Sequence, residues 1–91
     1  MQELERGDSS IRVLSSVQSL VMNTIYSLGS DDQKQKYLPK LASGELIGSF
    51  GMSEPNHGSD PSSMKSHYSE EKDCYIVNGS KMWIGHAPIC D

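Results

Sequence analysis

Aromatic residues are scarce in this chain of 91 residues: one Phe, one Trp and four Tyr, 7% in all, with hydrophobic residues at 35%. That is thin for a self-sufficient core, and a chain this short leaves much of its apolar surface in water. Cysteine is equally scarce, and Cys74 and Cys90 do not make a disulfide framework. With His57, His67 and His86 their spacings fit no zinc pattern, and Pro88 breaks the one helical offset, from His86 to Cys90. No metal site is expected. Positive charge is neither abundant nor clustered. Eight Lys and Arg stand against twelve Asp and Glu, for a net charge of −4, which argues against a nucleic-acid surface. No apolar run approaches the length of a membrane span. The opening Gln2-Glu3-Leu4-Glu5 is acidic and shows no secretory or mitochondrial presequence, so a free-standing product is expected in the cytoplasm.

What is present divides into two halves. Leu14, Val17, Val21, Ile25 and Leu28 recur at offsets of three and four, one apolar stripe on a helix. Asp8, Ser9 or Ser10 can cap its start and Gly29 can end it. A second helix opens with a capping box, Ser30 and Gln33. Pro39 either breaks it or opens one further turn ending near Gly44.

The later half reads as β structure. A short strand is expected over residues 46–53, and a weaker one over 64–69. The clearest local signal is Asn78-Gly79 between Tyr75-Ile76-Val77 and Lys81-Met82-Trp83-Ile84, which predicts a hairpin with a type I′ turn. Helices first and antiparallel strands later indicate an α+β fold, with the boundary near Gly44.

The most informative segment is Phe50-Gly51-Met52-Ser53-Glu54-Pro55-Asn56-His57-Gly58-Ser59-Asp60. It runs from a short apolar stretch into a small-residue loop whose backbone N–H groups can approach a polar or anionic ligand. Downstream, the indole of Trp83 offers a broad face to a planar partner. Together they make half a site for a flat, phosphorylated cofactor. Taken alone, Gly58 and Ser59 read first as a turn held by local Ser and Asp hydrogen bonds. Trp83 is equally a tryptophan that closes a small core.

The two landmarks resemble the acyl-CoA dehydrogenase family, whose members carry a Phe/Tyr/Cys-x-x-Thr-Glu-Pro-x-x-Gly-Ser-Asp loop and a Trp-Ile-Thr-Asn strand. The similarity is strongest to its glutaryl-CoA dehydrogenase branch. Supporting words are Glu3 to Ser9, Ser16 to Ser19, Gln35 to Pro39, Gly58 to Met64 and Asn78 to Lys81. The resemblance implies that residues 1–44 end an all-helical N-terminal domain. Residues 45–91 would then supply the opening antiparallel strands of a β-barrel-like middle domain.

For the site, the resemblance implies FAD as cofactor. Phe50, Gly51, Met52, Ser53, Gly58 and Ser59 would come from the loop, and Trp83, Ile84 and Gly85 from the downstream segment. Ser53 keeps the hydroxyl that the family places at the pyrimidine side of the flavin, and Trp83 would flank the ring. Gly85 stands where the family has a Thr that donates toward flavin N5, and a glycine has no side chain to donate. His86 follows and is expected at the surface. Arg12 and Ser16 match residues that hold the distal carboxylate of glutaryl-CoA, with Ser59 also near the thioester. The spacing of four puts Arg12 and Ser16 on one helix face, while Arg12 taken alone reads as a solvated first-turn cation. The helix looks one residue short of the family pattern near Ser19-Leu20, and Thr24 replaces a family proline.

The family's catalytic Glu lies in a C-terminal helical domain that these residues do not include, so no catalytic residue is expected among them. Glu54 and Glu45 are not substitutes. The parent activity implied is oxidation and decarboxylation of glutaryl-CoA to crotonyl-CoA in the mitochondrial matrix, with electrons passed to electron-transfer flavoprotein. The alternative is a non-catalytic interaction module, or a degenerate fragment, that docks onto or mispairs with the full-length homologue.

Overall fold

The computed structural model describes residues 2–91; Met1, at the head of the acidic opening, lies outside the described residues. The fold is α+β, helices first and a two-stranded antiparallel sheet after. The chain forms two compact units. One runs up to Phe50 and includes Gly85–Asp91; the other is Gly51–Ile84.

The helical unit contains α1 (Gln2–Gly7), α2 (Ser9–Leu28) and α3 (Asp31–Ser43), with α2 contacting both of the others. Asp8 caps α2, its carboxylate accepting the Ser10 N–H at 2.7 Å. At the other end the Gly29 N–H donates to the Ile25 carbonyl at 2.8 Å. Gly29 is extended rather than left-handed (φ −76°). Its lack of a side chain serves a close approach, because a Cβ there would sit 2.5 Å from the Ile25 oxygen.

The Ser30–Gln33 capping box forms reciprocally, Gln33 N–H to Ser30 Oγ at 3.3 Å and Ser30 N–H to Gln33 Oε1 at 2.9 Å. Asp31 and Asp32 in the first turn and Lys40 in the last complement the helix dipole. Pro39 does not break α3. The helix carries on to Ser43 and stops at Gly44, which is left-handed at φ 81°.

Of the predicted apolar stripe, Val17, Val21 and Ile25 are half-buried while Leu14 and Leu28 are exposed. Leu41 is the single buried apolar side chain among the described residues, at 5% exposure. The core is as thin as the composition implied.

Residues 46–53 do not form the expected strand. Backbone groups from 46 to 48 are taken by side chains and by the chain's end instead of by a ladder. Gln18 Nε2 donates to the carbonyls of Leu41 and Leu46 at 2.9 and 2.8 Å, and Gln18 Oε1 accepts the Gly48 N–H at 2.9 Å. Ile47 exchanges two bonds with Asp91: its N–H goes to the carboxylate at 2.8 Å and its carbonyl accepts the Asp91 N–H at 3.0 Å.

In the second unit, β1 (His67–Glu70) pairs with β2 (Tyr75–Asn78) in the register His67 with Asn78 through Glu70 with Tyr75. The turn between them is closed by Glu71 N–H to the Cys74 carbonyl at 2.8 Å. Tyr68 and Tyr75 meet edge to face, ring centroids 5.5 Å apart. The hairpin expected across Asn78-Gly79 is therefore not the one that forms. Tyr75–Asn78 pairs upstream, and residues 81–84 are not a strand. A type I′ turn needs positive φ at both central residues, and of this pair only Gly79 has it (154°). Gly79 instead answers a steric demand, since a Cβ there would collide with Ser66. Trp83, at φ 62°, interrupts any extended run.

Candidate cofactor site

The site is best built from Glu54. Its carboxylate is buried, at 6% exposure, and all its partners lie within the second unit. Oε1 accepts the Lys65 N–H at 2.6 Å, and Oε2 accepts the Ser66 N–H at 3.0 Å and the Lys81 ammonium at 2.9 Å. The main chain of Glu54 is engaged too, exchanging two 3.1 Å bonds with His57 around Pro55 and Asn56. The Lys81 ammonium, then the Lys65 and Ser66 donors, hold this carboxyl well below the usual carboxylate range, against the opposing effect of burial. An ionised, fully engaged carboxylate is a structural anchor and a poor general base.

Lys81 does two things with one ammonium. Besides neutralising Glu54 it donates to the Met52 carbonyl at 2.9 Å. One residue on, the Met82 N–H donates to the Ser53 carbonyl at 2.9 Å. Loop residues 52–54 are thus tied to residues 81–82 by three contacts, and Trp83 emerges directly beyond them. Its indole is 88% exposed, so it does not close a core.

Further along the loop, Ser63 and Ser62 donate their hydroxyls to Asp60, which immediately precedes a single 3-10 turn, Pro61–Ser63. These hydroxyls, Ser63 foremost, lower the Asp60 pKa. Gly58 has open space where a Cβ would project, so packing within the chain does not require glycine there.

Of the residues expected to hold a cofactor, Gly51, Met52, Ser53, Gly58, Ser59, Trp83 and Ile84 fall in this unit. Phe50 and Gly85 belong to the helical unit, where the Gly85 carbonyl accepts the Ser49 hydroxyl at 2.7 Å. Arg12 and Ser16 are also there, half-buried and one turn apart on α2. His86 departs from its expected surface role: it is half-buried and left-handed, with Nδ1 3.0 Å from the Gly48 carbonyl. An open groove of about 530 Å³ lies along β1 and β2, lined by Met64, His67, Tyr68, Tyr75, Val77 and Lys81 among others. Lys81 and Ser66, both in its lining, bond to Glu54 of the loop.

Sequence reasoning missed the roles of Glu54, Lys81 and Gln18. Each stood inside a recognised word of the sequence. The available signal was chemical: a carboxylate and an ammonium flanking the same two segments, and an amide inside an apolar helix face.

The residues present fit a flat aromatic group. An uncovered indole at a positive φ sits beside a hydroxyl-bearing loop whose backbone is already fixed.

Two family models match the chain, that of the acyl-CoA dehydrogenase N-terminal domain over residues 1–45 and that of the acyl-CoA dehydrogenase middle domain over 49–91. The chain belongs to the acyl-CoA dehydrogenase family. The mitochondrial 2-methylacyl-CoA dehydrogenase of Solanum tuberosum is 45% identical over 92 aligned positions, covering 100% of this chain and 22% of that protein. The mitochondrial isovaleryl-CoA dehydrogenase of Bos taurus is also 45% identical, with the same coverage. A glutaryl-CoA dehydrogenase from Mycobacterium smegmatis, solved in complex with FADH2, superposes with a TM-score of 0.94 at 47% identity, covering 98% of this chain and 23% of that one. The chain thus spans less than a quarter of the length of these acyl-CoA dehydrogenases.

Proposed function

We propose that this chain supplies the cofactor loop and part of the acyl pocket of an FAD-dependent acyl-CoA dehydrogenase. The observation that carries the reading is the exposed Trp83 indole, set beside Ser53 by the Met82–Ser53 backbone bond. In this reading Trp83 and Ile84 flank the flavin, Ser53 and Met52 meet its ring edge, and Gly58 and Ser59 approach the pyrophosphate. Phe50, Gly51 and Gly85 complete the cofactor set. Bound FAD would supply the acceptor for hydride leaving the acyl chain. The domain division would fall at residues 1–44 and 45–91.

Glutaryl-CoA is the substrate this reading favours, oxidised and decarboxylated to crotonyl-CoA in the mitochondrial matrix with electrons leaving to electron-transfer flavoprotein. Arg12 supports it as a bidentate donor to a second carboxylate, with Ser16 one turn away. The matched relatives carry the names of three different acyl-CoA dehydrogenases, so Arg12 is where the choice can be tested. Glu54 takes no proton in this scheme, and α-proton abstraction falls to a base outside these residues.

The test is equilibrium dialysis of the 91-residue chain against FAD, repeated with Trp83→Ala. Saturable binding that the substitution weakens supports the cofactor reading; no binding rejects it for this chain. Arg12→Met then separates substrates. Selective loss of glutaryl-CoA over isovaleryl-CoA binding supports the glutaryl assignment, and equal effects reject it.

One observation favours a second reading. β1 and β2 are exposed along their whole length, and an interaction module would cover them against a longer homologue. Co-purification with a full-length acyl-CoA dehydrogenase, lost when Tyr68 and Val77 are both replaced by Lys, would favour it.

A further inference from the structure

We infer that Lys81 is a positioning residue for the cofactor, setting the loop that meets the flavin without touching the flavin itself. The inference rests on the cofactor reading above and adds a residue to it.

Lys81 holds part of the loop with its side chain and part through the backbone that follows it. Its ammonium lies 2.9 Å from both the Met52 carbonyl and Glu54 Oε2. Glu54 in turn holds the N–H groups of Lys65 and Ser66. The main chain of Lys81 leads straight into Met82, whose N–H is bonded to the Ser53 carbonyl, and then Trp83. One side chain therefore holds the Met52 backbone carbonyl and the Glu54 carboxylate and, through its own backbone, the start of the segment that presents the indole.

The ammonium is half-buried, unlike Lys72 in the exposed β1–β2 turn. Ion pairs at a surface contribute little, but a charged donor to a buried carboxylate is costly to remove. Without Lys81, Glu54 keeps its two backbone donors and loses its counter-charge, while the Met52 carbonyl loses this donor. The loop is then free to shift relative to Trp83. Cofactor sites held about an ångström too loosely bind and react poorly.

The test compares FAD affinity of the unsubstituted chain with Lys81→Met, Lys81→Arg and Lys72→Met. Lys81→Met and Lys72→Met remove the same single positive charge, so any long-range electrostatic effect on FAD binding is common to both. We expect Lys81→Met to weaken FAD binding about tenfold or more, Lys72→Met to change it little, and Lys81→Arg to recover part of the loss. Hydrogen exchange provides the second measurement. Protection of the Met82 amide should fall in Lys81→Met while the β1–β2 ladder stays protected, showing that the unit remains folded. If the unsubstituted chain binds FAD and Trp83→Ala weakens it, but Lys81→Met matches Lys72→Met, this inference is overturned and the cofactor reading survives. If the unsubstituted chain does not bind FAD, the cofactor reading fails, and the inference fails with it. Loss of β1–β2 protection in Lys81→Met together with its affinity would mark Lys81 as a folding residue and overturn a positioning role.

Discussion

The Gln18 side chain and the Gly48 backbone form one joint: Gln18 Oε1 accepts the Gly48 N–H at 2.9 Å while a Cβ on Gly48 would lie 2.9–3.0 Å from Val21, one turn along the same helix. A single face of α2 thus reads the chain leaving α3, with the amide supplying hydrogen bonds and the valine requiring a glycine. This joint predicts two separate failures. Gln18→Leu leaves the Gly48 N–H and the Leu46 carbonyl without these partners and should cost about 2 kcal/mol or more. Gly48→Ala overpacks against Val21 and should cost about 1–3 kcal/mol. Urea unfolding followed by circular dichroism measures both, and a loss below about 0.5 kcal/mol in either would contradict the joint.

Helix capping gives a milder prediction. Ser30→Ala removes one arm of the capping box at the start of α3. The expected loss is about 1 kcal/mol, whereas Ser30→Gly should cost only a few tenths. The ordering of the two variants is the check.

Gly79 should tolerate no side chain. A Cβ there would collide with the Ser66 side chain and Cα, at a φ of 154°. Gly79→Ala should disrupt the end of β2 and loosen Ser66 from Glu54, which amide exchange at Ser66 would report. Gly58→Ala, with open space around the position, should leave stability within about 0.5 kcal/mol. Any effect of Gly58→Ala on FAD binding would then report on the ligand and not on the fold.

The pH dependence has a definite sign. Glu54 and Asp60 have folded-state pKa values lowered from their ordinary carboxylate values, Glu54 mainly by Lys81 and Asp60 mainly by Ser63. Each group therefore contributes stability that is fully present above its unfolded pKa and is lost as pH falls toward its folded one. Unfolding midpoints should be flat from neutral pH down to the carboxylate range and decline below it. Glu54→Gln should lower the neutral-pH midpoint and flatten the acid decline; an unchanged acid slope would exclude Glu54 as a principal source.

How much was legible in the sequence follows from the range of each interaction. Asp8, Ser30, Gln33 and Gly44 act within one turn of their own helices, so both long helices could be read directly, while the α2 cap stayed open among Asp8, Ser9 and Ser10 and the α3 end between Pro39 and Gly44. The strands depended on distant partners. Tyr75–Asn78 carried a strong local turn signal at Asn78-Gly79 yet paired upstream with His67–Glu70. Lys81 is bonded to Glu54 and Met82 to Ser53, so residues 81–82 lie against the loop and not against Tyr75–Asn78. Residues 46–53 had the composition of a strand, but the backbone of 46–48 found Gln18 and Asp91 as partners in place of a ladder. The candidate site was legible as a list of residues through its motifs. The Glu54–Lys81 pair that fixes part of it spans 27 positions and has no local pattern.

Trp83 is the single tryptophan of the chain, so its fluorescence reports on the proposed site alone. Titrating the chain with FAD while following that emission is the most direct test of the account. An 88% exposed indole should emit as a solvated one in the free chain. Its emission should then quench along a saturable curve, with Lys81→Met shifting that curve to higher FAD. Emission that stays unquenched by FAD, or quenches only in linear proportion to its concentration, would contradict the claim that Trp83 and the Glu54–Lys81 loop form a cofactor site.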